Sequence, residues 1–565
     1  MRVLCLQNVR SAKVVTTMTG APEMQGELTM PHHMPQETEV LIIGGGPVGL
    51  SAAVELGQRG VQCLIIEPRQ NVSRLRPRAK TTSVRTMEHF CRWGLAERIR
   101  EVAPLKVDWS QDVVFCTTLL GHEVTRFTNC FGLSSQRADV FAEAGQQIAQ
   151  PLVEEVLREA VADLESCQLC LGWSLYTLQQ DEEGVRATIV NERGEQRHVD
   201  ASYLLGCDGS RSAVRAAIGA HYVGISDLRP NFGIVFRAPE LAERQPHGPA
   251  VQYWVLNPTC PGLLGRMDME DRWWAIANGV PAEIGQANPH ALIHGLVGTT
   301  IDAEVLGTDP WTARMLLADR YRNGRVFLVG DSAHLNPPWG GHGFNTGIGD
   351  AVNIGWKLAA VIGGWGGDGL FASYEAERRP VAERTIQEAT ANMSVLAPEL
   401  GNQELAASGL VGEQARRAAA RVIQAAKDSE FHSLGFVLGY QYEASSVIVG
   451  DDTPPGPEGQ HYKPTARPGA RLPHLWLPGG VSLYDRLGHG LSLLRLRDDA
   501  DVAPLKETAA ARGVPLAMIE LRGQALEELY GAVLLLVRPD QHVAWRGGPV
   551  DRPTAEAIID RICGL

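Results

Sequence analysis

Three glycines, Gly44, Gly46 and Gly49, follow a short apolar run at residues 39–43 with the spacing G-x-G-x-x-G. Such glycines allow a tight turn, a close approach of the backbone to a pyrophosphate, and close packing of the next helix on the strand. Pro47 and Val48 lie between the last two glycines and begin that helix, whose exposed amides and positive end would bind a diphosphate. The spacing therefore predicts a nucleotide-binding turn between a strand and a helix.

Glu67 follows a second apolar run, at residues 62–66. A carboxylate at the end of the second strand can accept hydrogen bonds from a ribose. Strand, helix and parallel strand in succession predict the right-handed crossover that begins a Rossmann-type α/β domain. A glycine turn in an unrelated α/β fold is the alternative interpretation, and this unit alone does not distinguish FAD from NAD.

Two further motifs, each after a predicted strand, combine acidic residues with glycines. One runs from Cys207 to Arg215, and the other runs from Gly330 to Asp350. Together with the glycine turn they resemble the flavoprotein aromatic hydroxylases, the single-component FAD monooxygenases that include p-hydroxybenzoate hydroxylase and phenol hydroxylase. The resemblance covers residues 37–392.

This resemblance implies a site for FAD that extends well beyond the glycine turn. Asp331 would hold the ribityl hydroxyls, and the loop at residues 343–345 would line the pyrimidine edge of the isoalloxazine. Tight loops and helix caps are the alternative explanation, above all for Asp208. The residues that would contact the cofactor by this resemblance are Arg78, Gln150, Asp208, Asp331, Gly343, Phe344 and Asn345.

The family also implies a reaction. NADPH or NADH reduces FAD, O2 adds to the flavin, and the flavin C4a-hydroperoxide hydroxylates a phenolic or polyketide-like aromatic substrate. The sequence does not separate this reaction from Baeyer-Villiger oxygen insertion on the same scaffold. A non-enzymatic dinucleotide-binding protein is the third interpretation.

Five residues are candidates for the reaction centre. Pro338 would form a rigid wall beside the reacting oxygen. His342 stands where this family more often has glutamine or leucine, and titration near neutrality would allow it to modulate flavin reduction or proton release. Tyr253, Trp254 and Arg266 are candidate substrate contacts, although an aromatic strand face is more often part of a core.

The patterns predict an α/β fold with a Rossmann-type FAD-binding domain interleaved with a β-sheet substrate domain. The last part of the chain resembles the thioredoxin-like appendage of the phenol hydroxylase branch, without a C-x-x-C motif. Helical periodicity predicts helices over Val84–Val102, Ala138–Leu164 and Gly347–Ile362. The predicted boundaries are 1–36 for a disordered or additional N-terminal extension, 37–395 for the FAD-binding domain with the substrate domain inserted at about 220–310, 396–466 for a helical connection and Pro/Gly-rich linker, and 467–565 for the C-terminal domain.

Bulk composition excludes several classes of partner. The formal net charge of -13 would repel a phosphate backbone, so we do not expect nucleic acid. The longest apolar run, at residues 40–56, is too short and glycine-broken to predict a membrane span. Ten scattered cysteines suit a reducing cytoplasm, and Cys167-x-x-Cys170 lacks the second half of a metal site. The expected partners are a small aromatic substrate and O2, with a homodimer as the expected assembly.

Overall fold

The structure is a computed structural model that describes residues 34–75, 80–134, 136–394, 402–451, 453–454 and 459–565. The strands are β1 (Glu37–Ile43), β2 (Cys63–Glu67), β3 (Thr81–Thr82), β4 (Val113–Cys116), β5 (Glu123–Phe127), β6 (Gln146–Gln147), β7 (Cys167–Leu171), β8 (Trp173–Gln180), β9 (Val185–Asn191), β10 (Gln196–Gly206), β11 (Tyr222–Arg237), β12 (Gln252–Val255), β13 (Gly262–Arg266), β14 (Arg272–Asn278), β15 (Glu304–Ala318), β16 (Arg322–Asn323), β17 (Val326–Leu328), β18 (His334–Leu335), β19 (Leu491–Arg495), β20 (Leu516–Glu520), β21 (Leu534–Val537) and β22 (Val543–Gly547). The helices are α1 (Pro47–Gly57), α2 (Val84–Arg92), α3 (Ala96–Val102), α4 (Gln150–Ala162), α5 (Ala213–Ala217), α6 (Leu241–Arg244), α7 (Ala282–Ala287), α8 (Pro289–Val297), α9 (His342–Ile362), α10 (Gly369–Ser394), α11 (Gly409–Phe431), α12 (Leu434–Leu438), α13 (Ala503–Ala511), α14 (Gln524–Tyr530) and α15 (Arg552–Cys563).

The first sheet has the strand order β16-β17-β10-β1-β2-β7, with β9 beside β10 and β8 beside β9. Strands β17, β10, β1, β2 and β7 run parallel to one another. Residues 40–43 and 63–67 are all buried, as expected for parallel strands covered on both faces. The predicted α/β class with its Rossmann-type unit is confirmed, and the three predicted motifs follow β1, β10 and β17.

The second sheet has the order β18-β15-β11-β14-β13-β12-β4-β5 and is antiparallel except between β12 and β4. Successive side chains point to opposite faces of a strand. Tyr253 and Trp273 therefore share one face, which packs on an apolar core that includes α8 residues such as Leu296. Trp254 belongs to the opposite face, which packs against Phe431 of α11.

The third sheet, in the order β20-β19-β21-β22, lies in the C-terminal part of the chain, and β3 pairs with β6 in a separate small sheet. Gln36–Leu565 form one compact unit. Buried charges join its parts: Arg538 Nη1 lies 2.6 Å from Glu377 Oε1 of α10, and neither side chain is exposed. The domain boundaries stay a prediction, and residues 1–33 of the N-terminal extension lie outside the described residues.

Three helix predictions need correction. The predicted helix Val84–Val102 is interrupted after α2, where Gly94 adopts a φ of +79°. The predicted helix Ala138–Leu164 begins only at Gln150, because residues 146–147 pair with β3. Helix α9 begins at His342 rather than at Gly347. Across the described ranges, no helix is long and apolar enough to cross a membrane.

Candidate functional site

The glycine turn brings the first two motifs into contact. Gly44 has a φ of +106°, and a Cβ placed on it would lie 2.3 Å from the carbonyl oxygen of Cys207. A Cβ on Gly49 would lie 1.9 Å from the carbonyl oxygen of Gly44. Neither position can accept a side chain without moving backbone. The turn therefore places the N-terminus of α1, with Gly46, Pro47 and Val48, directly beside the end of β10.

Glu67 is buried at the end of β2 and organises the same turn. Its Oε2 accepts a hydrogen bond from the Gly45 amide at 2.8 Å, and its Oε1 accepts from the amide and the Nε of Arg69 at 2.9 and 2.6 Å. An ionised carboxylate has about four acceptor positions. Glu67 retains capacity for a ribose hydroxyl, so that predicted role stays open.

The second motif contains an unsatisfied buried acceptor. Asp208 Oδ2 accepts from the Val214 amide at 3.1 Å, whereas Oδ1 is buried without a hydrogen-bond partner. Burial raises the pKa of Asp208. Arg215 then links this motif to the third one, because its Nη1 donates to the Ser332 carbonyl at 3.1 Å. An unpaired acceptor at this point suits a ligand that donates hydrogen bonds.

The third motif packs against the start of α1. Gly330 has a φ of +64°, and Cβ atoms on Gly330 and Gly347 would lie 3.1 and 2.7 Å from the side chain of Val48. Asp350 accepts a hydrogen bond from the Gly330 amide at 3.2 Å and is paired with Arg378 at 2.7 Å. Asp331 follows Gly330 in this turn and is exposed to solvent. The turn that carries Asp331 is thus fixed between α1 and α9.

The loop at residues 343–345 forms the first turn of α9, so its amides lie at the positive end of that helix. The side chain of Asn345 fixes this turn, and the predicted contact of its residue with the flavin stays a prediction. Its Oδ1 accepts from the Ser83 amide at 2.9 Å and from the Thr86 hydroxyl at 2.8 Å, while its Nδ2 donates to the carbonyls of Thr81 and Gly341 at 3.3 and 2.8 Å. The side chain of Asn345 is therefore fully used inside the protein, and only its backbone is free to face a ligand. Gly343 and Phe344 are partly buried beside it.

His342 differs from its prediction in protonation. Its ring is buried against Phe436 at a centroid distance of 4.6 Å, and Nε2 has no hydrogen-bond partner. Burial lowers the pKa of His342 to about 4. This lowered pKa favours a neutral ring at physiological pH, and a role for His342 in flavin reduction or proton release stays a prediction. Pro338 is exposed, and its carbonyl accepts from the Gly341 amide at 3.1 Å to close the turn before α9.

The three candidate substrate residues separate in the structure. Tyr253 is buried on the face of the second sheet that packs against α8, and its hydroxyl donates to the Gly248 carbonyl. Trp254 lies on the other face, stacks on Phe115 at 5.4 Å and leaves its Nε1 unpartnered. Arg266 donates to the carbonyls of Asp268 and Glu270, both at 2.9 Å. Tyr253 is therefore a core residue, because strand alternation turns it away from Trp254.

Gln150 and Arg78 are the two other predicted cofactor contacts. Gln150 is the first residue of α4, is partly buried, and follows the β3–β6 pair. Arg78 lies outside the described residues. The convergence of the glycine turn, Asp208 and the Gly330 turn does not depend on where these two residues lie. No cluster of three or more potential metal ligands occurs in the part of the chain that the structure describes.

Sequence reasoning missed a buried ion pair beside the loop at residues 337–345, which we call the flavin loop after the family resemblance. Lys427 Nζ lies 2.6 Å from Glu430 Oε2 on α11, with exposed fractions of 0% and 1%. Glu430 Oε1 accepts from the Gly340 amide at 3.1 Å, and Lys427 Nζ lies 5.0 Å from the Trp254 ring. In the sequence, Lys427 and Glu430 look like ordinary charged residues on the solvent-exposed face of an amphipathic helix. The sequence therefore contained no indication that this pair is buried.

The residues present fit FAD. Two glycines exclude side chains at the crossing of β1, α1 and β10, a buried carboxylate oxygen lacks a partner, and two helix N-termini face the same region. A dinucleotide with a diphosphate, ribose hydroxyls and a flavin ring that becomes negatively charged on reduction supplies the matching groups. Asp208, Asp331 and the amides at 343–345 would hold it together with the glycine turn.

Comparisons with known proteins agree with this geometry. Residues 37–389 match the family model described as an FAD binding domain, and residues 465–565 match the model described as aromatic-ring hydroxylase, C-terminal. A putative polyketide hydroxylase of Streptomyces halstedii is 33% identical, with 93% of this chain and 97% of that protein aligned. The 2,4-dichlorophenol 6-monooxygenase of Delftia acidovorans is 31% identical, over 90% of this chain and 95% of that protein.

A solved structure is similar over nearly the full length. RebC with bound 7-carboxy-K252c superposes with a TM-score of 0.87 and 34% identity, covering 94% of this chain and 100% of RebC. One family model describes an FAD binding domain, the other describes an aromatic-ring hydroxylase, and the two relatives are named as a hydroxylase and a monooxygenase. The protein is therefore an FAD-dependent monooxygenase and belongs to the family of aromatic-ring hydroxylases.

Proposed function

We propose that this enzyme uses NADPH or NADH and O2 to hydroxylate a phenolic or polyketide-like aromatic substrate on the second-sheet face that carries Trp254. FAD, when bound, accepts electrons from the nicotinamide and activates O2 for transfer of one oxygen atom. The observation that carries this proposal is the convergence of three sequence-distant motifs at Gly44, Asp208 and Gly330. That convergence builds one dinucleotide site next to an aromatic surface.

The proposed substrate surface is aromatic, and Phe115, Trp254 and Trp339 on it are buried. Phe115 stacks on Trp254 at 5.4 Å, Phe431 approaches Trp254 at 6.3 Å, and Trp339 of the flavin loop lies 6.4 Å from Trp311. Aromatic rings favour offset stacking and edge contacts, which suits an aromatic ligand. Exclusion of water at this surface also protects a reactive oxygen from side reactions.

The protein's own groups provide charge stabilisation near this surface. The amides of residues 343–345 open α9, where the positive end of the helix favours negative charge. The four hydrogen bonds of Asn345 hold that turn against β3 and α2. We assign Pro338 to the wall of the site, and we assign His342 to packing of the α9 N-terminus as a neutral ring.

The relatives support an aromatic substrate without identifying it. Their names specify 2,4-dichlorophenol, phenol and a polyketide. A homodimer is part of this proposal, and light scattering of the purified protein would measure it.

The test is a substrate screen with purified, FAD-loaded protein. Phenols and polyketide-like aromatics should stimulate NADPH or NADH oxidation and yield products with one added oxygen. An inserted ester oxygen would instead indicate Baeyer-Villiger chemistry. A Gly44→Ala variant without FAD is the control, and absence of oxygenated product with every aromatic class would contradict the proposal.

A further inference from the structure

The turn between β21 and β22 contains a backbone outlier. Gln541 has a φ of +65° and is fully buried. This left-handed conformation favours glycine and is strained for a residue with a side chain. The Nε2 of Gln541 is also buried without a hydrogen-bond partner. A glutamine here therefore weakens the fold in two ways, and stability alone does not explain this residue type.

The side chain of Gln541 contacts helix α2. Its Oε1 accepts a hydrogen bond from Arg85 Nη1, and the carbonyl of Asp540 accepts from Arg85 Nη2 at 2.6 Å. Arg85 is buried, and the Glu88 carboxylate that lies 3.2 Å from it also pairs with Arg471. One carboxylate thus serves two guanidinium groups. The Gln541 oxygen therefore supplies an acceptor that the buried Arg85 needs.

Arg85 lies in the first turn of α2, and this turn also holds the start of α9. The Ser83 amide and the Thr86 hydroxyl donate to Asn345 Oδ1 at 2.9 and 2.8 Å. Asn345 belongs to the first turn of α9, whose amides we assign to charge stabilisation. A continuous connection of hydrogen bonds and one helix turn therefore runs from the β21–β22 turn to the α9 N-terminus.

The β21–β22 turn is itself firmly held. Arg538, which begins the turn, donates from Nη1 and Nη2 to the two carboxylate oxygens of Glu377 at 2.6 and 2.8 Å. Such two-point pairs fix relative orientation as well as distance. The Gln541 amide donates to the Arg538 carbonyl at 2.9 Å, and the Gln541 carbonyl accepts from the Leu472 amide at 2.9 Å. A turn fixed in this way can hold Arg85 in one place.

We propose that Gln541 is a positioning residue for the flavin reaction and acts through Arg85 and Asn345 on the amides that open α9. This inference rests on the proposed function, in which those amides stabilise negative charge on the reduced flavin. A small displacement of the amides weakens that stabilisation, because hydrogen bonds depend on the position of the donor. The C-terminal part of the chain, which contains Gln541, thereby influences how readily FAD is reduced.

The experiment measures the two-electron midpoint potential of FAD in the full-length enzyme, by slow enzymatic reduction beside a reference dye. Gln541→Met removes the acceptor and keeps a long side chain, whereas Gln541→Gly removes the side chain together with the backbone strain. Neither variant changes the charge. We expect both to lower the affinity for reduced FAD relative to oxidised FAD about tenfold, which makes the potential about 30 mV more negative. Adding Gln541→Met to Asn345→Ala should cause no further shift, because Asn345→Ala already breaks the connection.

Asn129→Gly is the matched control, because Asn129 also has a positive φ, of 57°, and lies exposed after β5. This variant removes similar backbone strain and should leave the potential unchanged. Thermal unfolding and FAD content check that each variant is folded. An unchanged potential in folded Gln541→Met and Gln541→Gly would overturn the inference, as would an equal shift in Asn129→Gly or an additive shift in the double variant. A shift that depends on Gln541, with no oxygenation of any aromatic, would keep the role of Gln541 and reject the proposed function.

Discussion

Replacing Gly44 by alanine should separate FAD binding from folding. Gly44 has a φ of +106°, which costs a residue with a side chain roughly 1–3 kcal/mol. The new Cβ would also lie 2.3 Å from the Cys207 carbonyl oxygen, whereas ordinary contacts are 3.4 Å or longer. The ends of β1 and β10 must therefore separate by about 1 Å, at the point where the diphosphate approaches. We expect the FAD Kd to rise at least about 100-fold, equivalent to about 2.7 kcal/mol.

The matched control is Gly60→Ala. Gly60 has a φ of +77°, and a Cβ there would meet nothing within 4 Å. It therefore introduces similar backbone strain without a collision and should reduce stability by roughly 1 kcal/mol while leaving the FAD Kd unchanged. Apoprotein would be titrated with FAD and followed by quenching of flavin fluorescence. Equal FAD affinity in the two variants would refute the reasoning about the turn.

Two further predictions concern buried ionisable groups. Glu430→Gln leaves Lys427 buried without its carboxylate and should lower the free energy of unfolding by roughly 3–5 kcal/mol in denaturant titrations. Adding Lys427→Met should recover most of this loss. No loss in Glu430→Gln would show that the pair is not buried. His342→Gln should leave the pH profile of flavin reduction unchanged between pH 6 and 9, because the lowered pKa keeps the His342 ring neutral in that range. Loss of a titration step in stopped-flow traces of the variant would show that His342 is charged in the loaded enzyme.

The cofactor half of the site could be predicted because local sequence determines it. Gly44 and Gly49 are required by a backbone turn, and Asp208 and Gly330 each follow a buried strand of one parallel sheet. The carboxyl ends of parallel strands meet at one edge. The order and spacing of these residues in the sequence therefore predict that they lie together in the structure.

The substrate half could not be predicted in the same way, because it depends on pairing between distant strands and helices. Tyr253 and Trp254 are adjacent in sequence, and only the register of β12 with β13 shows which one faces α11. Lys80 and Trp274 are far apart in the chain, and their contact follows from tertiary packing. Helix α9 begins earlier than predicted because residues 342–346 already form its first turn.

Isotope incorporation tests the central claim most directly. FAD-loaded enzyme would be supplied with NADPH or NADH, an aromatic compound that stimulates nicotinamide oxidation, and ¹⁸O₂, and the product would be analysed by mass spectrometry. The account predicts a ring hydroxyl that contains one labelled oxygen atom, formed in proportion to the nicotinamide consumed. An unlabelled product, or release of hydrogen peroxide alone with every aromatic supplied, would contradict it.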